Sequence, residues 1–550
     1  MKLNTQFGEL ETQIAEALER LNKGNIQARV WERDYTLWGN EPDEISDRLG
    51  WLDAPTKMPA HIPAITEFSE EILADGFTDI VLIGMGGSSL APELFAKTFT
   101  RPAGHPRITI MDSTHPGAVT QISEKFDAKK TFFIVATKSG GTVETISLFK
   151  YFYNWLMNDI GEEIAGDKFA AITDPGSTLE TLSQEYQFRK TFLNDPDIGG
   201  RYSALSYFGL VPAGLAGVDL VKLLGEAQSA ARLCGPGVKA ADNPAAIIGT
   251  FMAEAAISGR DKLTFSISSR MASFGDWVEQ LIAESTGKDG KGILPVLSEA
   301  DPASIPRMDD RAFVLLKIKE DPQVYSIDQF DEEIPVIEFQ LNDIYDLGGQ
   351  FFLWEMATAI AGYGMGIQPF NQPNVEAAKI LARQLINKMD GGEAEMTVES
   401  KPHFHDLAAF LAQASNGDYA AIQAYLAPNE TIMQLLDELR SRVAELSGTA
   451  TSLAIGPRYL HSTGQLHKGD AGKGLFVQIV GVPNKDVAIP DKAGQPGSSL
   501  SFGELLRAQA HGDEQALKDA GRRVLSIALE GDHAKSIKEL TQSLDGKFDG

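Results

Sequence analysis

Short, wholly apolar runs alternate with longer stretches of helical periodicity along most of the chain. Asp79-Ile-Val-Leu-Ile83 meets a glycine turn and is followed by Leu90, Leu94, Phe95 and Thr98 at helical spacing. Ile108–Met111, Phe132–Ala136 and Phe169–Thr173 repeat the arrangement, each leading into a helical stretch. Runs without polar alternation mark strands covered on both faces, so the pattern predicts an α/β fold with doubly wound parallel sheets. A second block of the same kind starts near Asn243. It predicts helices over Ala245–Ile257, Trp277–Glu284, Leu347–Tyr363 and Val375–Asn387, with strands over Leu263–Ile267 and Phe313–Lys317. Before the first block, residues 1–60 read as a helical segment that turns irregular, anchored by Trp31, Trp38 and Trp51. The polar, glycine-containing stretch from Met389 to Pro402 predicts a linker, and a strand at Gly474–Val480 marks a third α/β unit beyond it. The expected division is 1–60, 61–235, 236–400 and 401–550.

Composition narrows the partners. The 550 residues carry 76 acidic and 49 basic side chains, a net charge of −27, which repels nucleic acid and anionic membranes as default partners. The single cysteine, Cys234, leaves no intramolecular disulfide and suits a reducing, cytoplasmic setting. The first 25 residues lack the apolar centre of a signal peptide. The longest uncharged runs, Tyr202–Val218 and Met356–Val375, are broken by glycine and proline and do not read as membrane spans.

Candidate chemistry sits in the turns. Ile83-Gly-Met-Gly-Gly-Ser-Ser89 joins a strand to a helix, where glycines admit a ligand to the backbone and the helix start offers free amides. Three readings stand: a tight structural turn, a sugar-phosphate site, or a dinucleotide site with Asp112 as ribose ligand, although the Gly-x-Gly-Gly spacing departs from Gly-x-Gly-x-x-Gly. Ala136-Thr-Lys-Ser-Gly-Gly-Thr-Val-Glu-Thr145 joins the next strand–helix pair. Its hydroxyls at Thr137, Ser139, Thr142 and Thr145 and its cation at Lys138 suit a phosphate monoester; the structural alternative is a helix merely capped by Thr142.

Arg201, in Gly199-Gly-Arg-Tyr-Ser203, is expected at the start of a helix over Ser203–Leu210, where a guanidinium could stabilise an oxyanion or simply form a surface ion pair. Trp277, Leu281 and Glu284 fall on one helix face with Gln280 beside them. A carboxylate on an apolar stripe suits proton transfer, and equally a structural ion pair. Lys379 shares a face with Val375, Ala378 and Ala382 and points inward or snorkels.

Together, Gly84-Met-Gly-Gly87-Ser88, Thr137–Thr145, Gly199–Ser203, Gln280–Lys288 and Asn371–Lys379 resemble, in order, the motifs of the glucose-6-phosphate isomerase (phosphoglucose isomerase) family. The likeness is nearest to the isomerase portion of proteins that fuse transaldolase to this isomerase. The resemblance implies two sugar-isomerase (SIS) domains, a small sugar phosphate as substrate, and no metal or cofactor. It implies that Gly87, Ser88, Thr137, Lys138, Ser139 and Thr142 hold the phosphate, and that Arg201 and Gln280 stabilise an enediolate. Glu284 would move the proton between C2 and C1, Gln372 would touch substrate, and Lys379 with a histidine would open the ring. Two features depart from the family: Gly140-Gly141 stands in a loop usually richer in threonine, and no histidine lies between His115 and His403. Thr463-Gly-Gln-Leu-His467-Lys-Gly469 resembles the family's histidine segment, so His467 is expected to open the ring, with His461 as the fallback. Ordinary members take that histidine from the partner subunit; here the third unit would supply it, in cis or across a homodimer. The implied activity interconverts glucose 6-phosphate and fructose 6-phosphate. Its rivals are an enzyme accepting mannose 6-phosphate as well, and a non-catalytic sugar-phosphate sensor. With an acidic surplus this large, Lys138, Arg201, Lys379 and His467 would have to form a local positive basin for the substrate dianion.

Overall fold

In a computed structural model of the chain, residues 1–297, 305, 308–319, 324–374, 405–483 and 485–544 are described. The chain opens not on a helix but on a strand, β1 (Lys2–Gln6), and only then enters the Glu11–Lys23 helix. The next five strands, β2 (Asp79–Gly84), β3 (Arg107–Met111), β4 (Thr131–Ala136), β5 (Phe169–Thr173) and β6 (Lys190–Leu193), form one parallel sheet in the order β3-β2-β4-β5-β6.

The apolar side chains of β2 and β4 are each committed to one of two cores. Ile80, Leu82, Phe132 and Ile134 face the core shared with the Leu90–Thr98 helix, whereas Val81, Ile83, Phe133 and Val135 face that of the Val143–Ile160 helix. The helices that follow β2 and β4 therefore leave the sheet toward opposite faces. The two strands are hydrogen-bonded neighbours with Gly84 opposite Ala136, so their loops diverge at the carboxyl edge and open a crevice, the usual binding position in such sheets.

The second sheet contains β7 (Lys262–Ile267), β8 (Leu294–Val296), β9 (Arg311–Ile318) and β10 (Val336–Leu341), in the order β1-β10-β9-β7-β8. All pairings are parallel except that of β1, which closes the β10 edge antiparallel, Lys2 opposite Gln340. Sequence pattern missed β1 because an edge strand with half-exposed polar residues carries little apolar signal. The third sheet, β11 (Tyr419–Tyr425), β12 (Ala450–Ile455), β13 (Gly474–Gly481) and β16 (Arg523–Leu529), is parallel in the order β12-β11-β13-β16; β14 (Ala488–Ile489) and β15 (Leu500–Ser501) pair apart from it.

This third unit is not a loose appendage. Ile489, Ala493, Phe502 and Leu505 complete the core beneath the Val143–Ile160 helix. On another side, Tyr419, Ala421, Leu466 and Phe476 pack on Ala283, Leu294 and Val296 of the second unit. The expected linker, the helix over Val375–Asn387 and Lys379 lie outside the described residues. No helix among the described residues is long and apolar enough to cross a membrane.

Candidate active site

The crevice becomes a cavity of about 490 Å³ where the three units meet, and its walls are made from the turns singled out by the sequence: Gly87, Ser88, Thr137, Lys138, Ser139, Thr142, Arg201, Gln280, Glu284 and Gln372. The β2 loop folds into a single tight turn, Gly86–Ser88. Gly86 has φ +55°, a left-handed conformation that favours glycine, and a Cβ there would lie 2.7 Å from the His461 carbonyl oxygen. Gly87 abuts the Gly200 backbone, and the Ser203 hydroxyl donates to Gly200 O at 2.6 Å and Gly87 O at 3.4 Å, joining the two glycine turns.

After β4, Thr142 occupies the N-cap of the Val143–Ile160 helix but makes no capping bond with its side chain. Its hydroxyl meets that of Thr137 at 2.9 Å instead. The helix start is thus left uncapped toward a loop of hydroxyls, an arrangement suited to an anion. The ammonium of Lys138 donates to Asp174 and, at 2.7 Å, to the Pro196 carbonyl. Burial pushes the Asp174 carboxyl up against the downward pull of Lys138.

Arg201 lies on the Gly200–Tyr202 turn, six residues before the Tyr207–Leu215 helix begins, and not at the start of a helix as expected. Gly-Gly-Arg closes a turn against Gly87, and the next helix begins only after Ser206 can cap it. The guanidinium is buried and fully engaged. Nε donates to Ser285 Oγ at 2.8 Å, Nη2 to Pro369 O at 2.6 Å, and Nη1 to Gln372 Oε1 at 3.0 Å while facing Glu284 at 3.2 Å. Glu284 shares its helix face with buried Trp277 and Leu281, but its carboxylate does not end among apolar atoms: Arg201 meets one oxygen and Gln280 donates to the other at 3.1 Å. Lys288, one turn onward, donates to the Gln368 and Asn371 carbonyls and so fixes the segment carrying Gln372. Burial, and then the nearby Arg201 cation, hold that ammonium far below the usual lysine range.

The two histidines exchange places relative to expectation. His467, on the Gly464–Gly469 helix, is fully buried, bonds Gln423 through Nδ1 at 3.1 Å, and sits among Tyr419, Tyr459 and Phe476. Burial, and after it the Lys468 and Arg522 cations, drive its pKa far below the usual imidazole range. Its helix turns inward onto the third sheet and away from the cavity. His461, on the Arg458–His461 turn that follows β12, lines the cavity from within the same chain. Its Nε2 lies 2.9 Å from Glu144 Oε1, and its carbonyl accepts from Gln280 at 2.7 Å. Glu144 belongs to the first turn of the helix after the Thr137 loop and also accepts from Gln509 of the third unit at 2.7 Å.

Glu144, Asp174 and Arg48 also belong to this site and were not singled out from sequence. Position alone could have flagged the first two, since Glu144 lies within the phosphate-loop motif and Asp174 directly follows β5 beside it. The dinucleotide alternative loses its ribose ligand: Asp112 is buried and faces Arg458 at 3.4 Å.

A family model, phosphoglucose isomerase, matches residues 66–293. Curated relatives include the glucose-6-phosphate isomerase of Rubrobacter xylanophilus, 28% identical over an alignment 406 residues long that covers 62% of this chain and 93% of the relative. That of Parabacteroides distasonis is 28% identical over an alignment 435 residues long that covers 68% of this chain and 95% of the relative. Among solved structures, a hypothetical protein from Thermus thermophilus superposes with a TM-score of 0.59 at 24% identity, covering 70% of this chain and 99% of the other. A glucose-6-phosphate isomerase from Chlamydia trachomatis does so with a TM-score of 0.52 at 20% identity, covering 66% and 78%. These matches do not bear on fusion to transaldolase. The family-model match and the curated relatives both make the chain similar to phosphoglucose isomerases, and the solved structures share its fold.

Proposed function

We propose that this chain interconverts D-glucose 6-phosphate and D-fructose 6-phosphate through a cis-enediol(ate), a step of glycolysis and gluconeogenesis, with a cytoplasmic location. The observation that carries the reading is the placement of Glu284 between Arg201 and Gln280, in one cavity with the hydroxyl-rich helix start at Thr142. Ser88, Gly87, Thr137, Lys138, Ser139 and Thr142 would take the phosphate, which fixes the sugar with C1 and C2 toward Glu284. As base, Glu284 removes the proton from C2 of the aldose and returns it to C1 of the ketose, so one carboxylate serves both directions. Charge that develops on the enediolate oxygens falls beside Arg201, whose guanidinium already holds its orientation through Ser285, Gln372 and two carbonyls.

Ring opening moves a proton between the ring oxygen and a hydroxyl. His461 suits that task because Glu144 orients its ring, as a carboxylate orients an imidazole in other acid–base sites. Gln372 would contact the sugar directly or through Arg201. The family role of Lys379 lies outside the described residues. The test is turnover of fructose 6-phosphate by wild type beside Glu284→Gln. The variant should bind substrate and lose about 10²–10⁴-fold in rate; an unchanged rate would sink the mechanism.

A further inference from the structure

His461 reaches the cavity on a turn that belongs to the third unit, yet the groups it serves belong to the other two. Its far end is fixed by Glu144 on the ring and by Gln280 on the carbonyl. At the near end of the same turn, three residues earlier, Arg458 enters a cluster of carboxylates. It hydrogen-bonds Glu93 on the Leu90–Thr98 helix, and faces Asp112, the residue after β3, at 3.4 Å and Asp276 on the Phe274–Thr286 helix at 3.9 Å. Lys97 completes the cluster, meeting the other oxygen of Glu93 at 2.6 Å. One guanidinium thus spans both sugar-isomerase units from the third.

Charge clusters of this kind contribute little net stability, because desolvation offsets their attraction; their best-attested use is to fix register. Burial would raise the Glu93 carboxyl, but the cations of Arg458 and Lys97 reverse this and hold it at about 2, so the Arg458–Glu93 pair stays ionised at neutral pH, whereas burial pushes Asp112 and Asp276 up. A planar fork that meets several carboxylates at once sets orientation in a way a lysine cannot.

We propose that Arg458 is the positioning residue of the ring-opening histidine: by tying the Arg458–His461 turn to Glu93, Asp112 and Asp276, it sets where the imidazole meets the sugar ring. The inference rests on the isomerase reading above. Arg458→Met should reduce turnover of fructose 6-phosphate by about 10–100-fold, the loss expected from a misplacement near 1 Å. It should leave 5-deoxyfructose 6-phosphate, a ketose phosphate without the hydroxyl that closes the ring, turning over at the wild-type rate. His461→Asn should give the same split, and Arg458→Met should add nothing to it in the double variant. Equal losses on both sugars, or additive losses in the double variant, would overturn the proposal. If Arg458→Met does not fold, Asp276→Asn weakens the clamp from the partially exposed side and should show a smaller split in the same direction; no split would overturn the proposal. A split for His461→Asn alone would overturn only the role of Arg458, whereas a wild type inactive on both ketoses would overturn the isomerase reading as well.

Discussion

Gly87→Ala adds one methyl group where the two glycine turns meet back to back. Its Cβ would stand 2.0 Å from the Gly200 carbonyl oxygen, 2.4 Å from the Gly200 carbonyl carbon and 3.0 Å from the Arg201 amide nitrogen. Both sides are backbone, so no side chain can swing away. To restore even a tight contact of 3.0 Å the turns must part by about 1 Å. Arg201 follows Gly200 directly, and Ser88 follows Gly87, so the separation pulls the guanidinium from the phosphate wall and disturbs its 3.2 Å approach to Glu284. A displacement of that size costs about 10²-fold in rate, or roughly 3 kcal/mol of transition-state stabilisation. Overpacking should remove a further ~1–3 kcal/mol from folding stability. Initial rates at low fructose 6-phosphate give kcat/KM, and a thermal melt separates the catalytic loss from unfolding. Gly225→Ala is the control: it lies in the Leu220–Leu233 helix with nothing within 4 Å of its added Cβ, and should gain about 0.5–1 kcal/mol without touching turnover. A Gly87→Ala protein with wild-type kcat/KM and an unchanged melt would refute the argument that this contact fixes the site.

The remaining expectations concern histidines. His467→Ala should lower the melting temperature, since it empties a fully buried site, yet preserve turnover per folded molecule, and a selective loss of turnover would return His467 to the mechanism. Because His461 reaches the cavity within its own chain, mixing Glu284→Gln with His461→Asn protein under conditions that exchange subunits should restore no activity; recovered turnover would show the histidine crossing between copies. His115 is buried, caps the Pro116–Lys125 helix through Nδ1, and is depressed to about 4, chiefly by burial. A neutral imidazole in the fold means that stability is fully present above pH 6.5 and lost as pH falls toward 4, a loss of about 2 kcal/mol by pH 5. Urea unfolding at pH 7.5 and pH 5 should show that loss reduced in His115→Gln; equal losses in both proteins would remove His115 as its source.

Strands β2, β4, β5, β7 and β9 were legible because they are buried on both faces, and continuous apolar runs such as Asp79–Gly84 carry that signal without help from distant residues; buried β10, with Glu338 and Gln340 interrupting its apolar run, was not. The phosphate loops were legible because glycine and hydroxyl residues stand at fixed distances from those runs. The strands β1 and β12 were not, since an edge strand is half exposed and takes its place from a pairing made elsewhere in the chain. The exchange of His467 for His461 has the same origin. Local resemblance favoured the histidine in the glycine-bounded segment, but the docking of the third unit on Gly86 and Glu144 decides which one faces the cavity. Glu144 and Arg458 acquire their roles only through that docking.

The described cations at this site are already matched: Lys138 with Asp174, Arg201 with Glu284, and Arg48 with Asp47. The expected positive basin is therefore absent as a long-range field among the described residues, and in the proposed binding mode Lys138 would act on the substrate dianion only on contact, beside the neutral donors. Encounter in such a site is unsteered. Association should proceed at an ordinary rate that rises little as salt is removed, and the acidic exterior should slow it modestly at the lowest ionic strength.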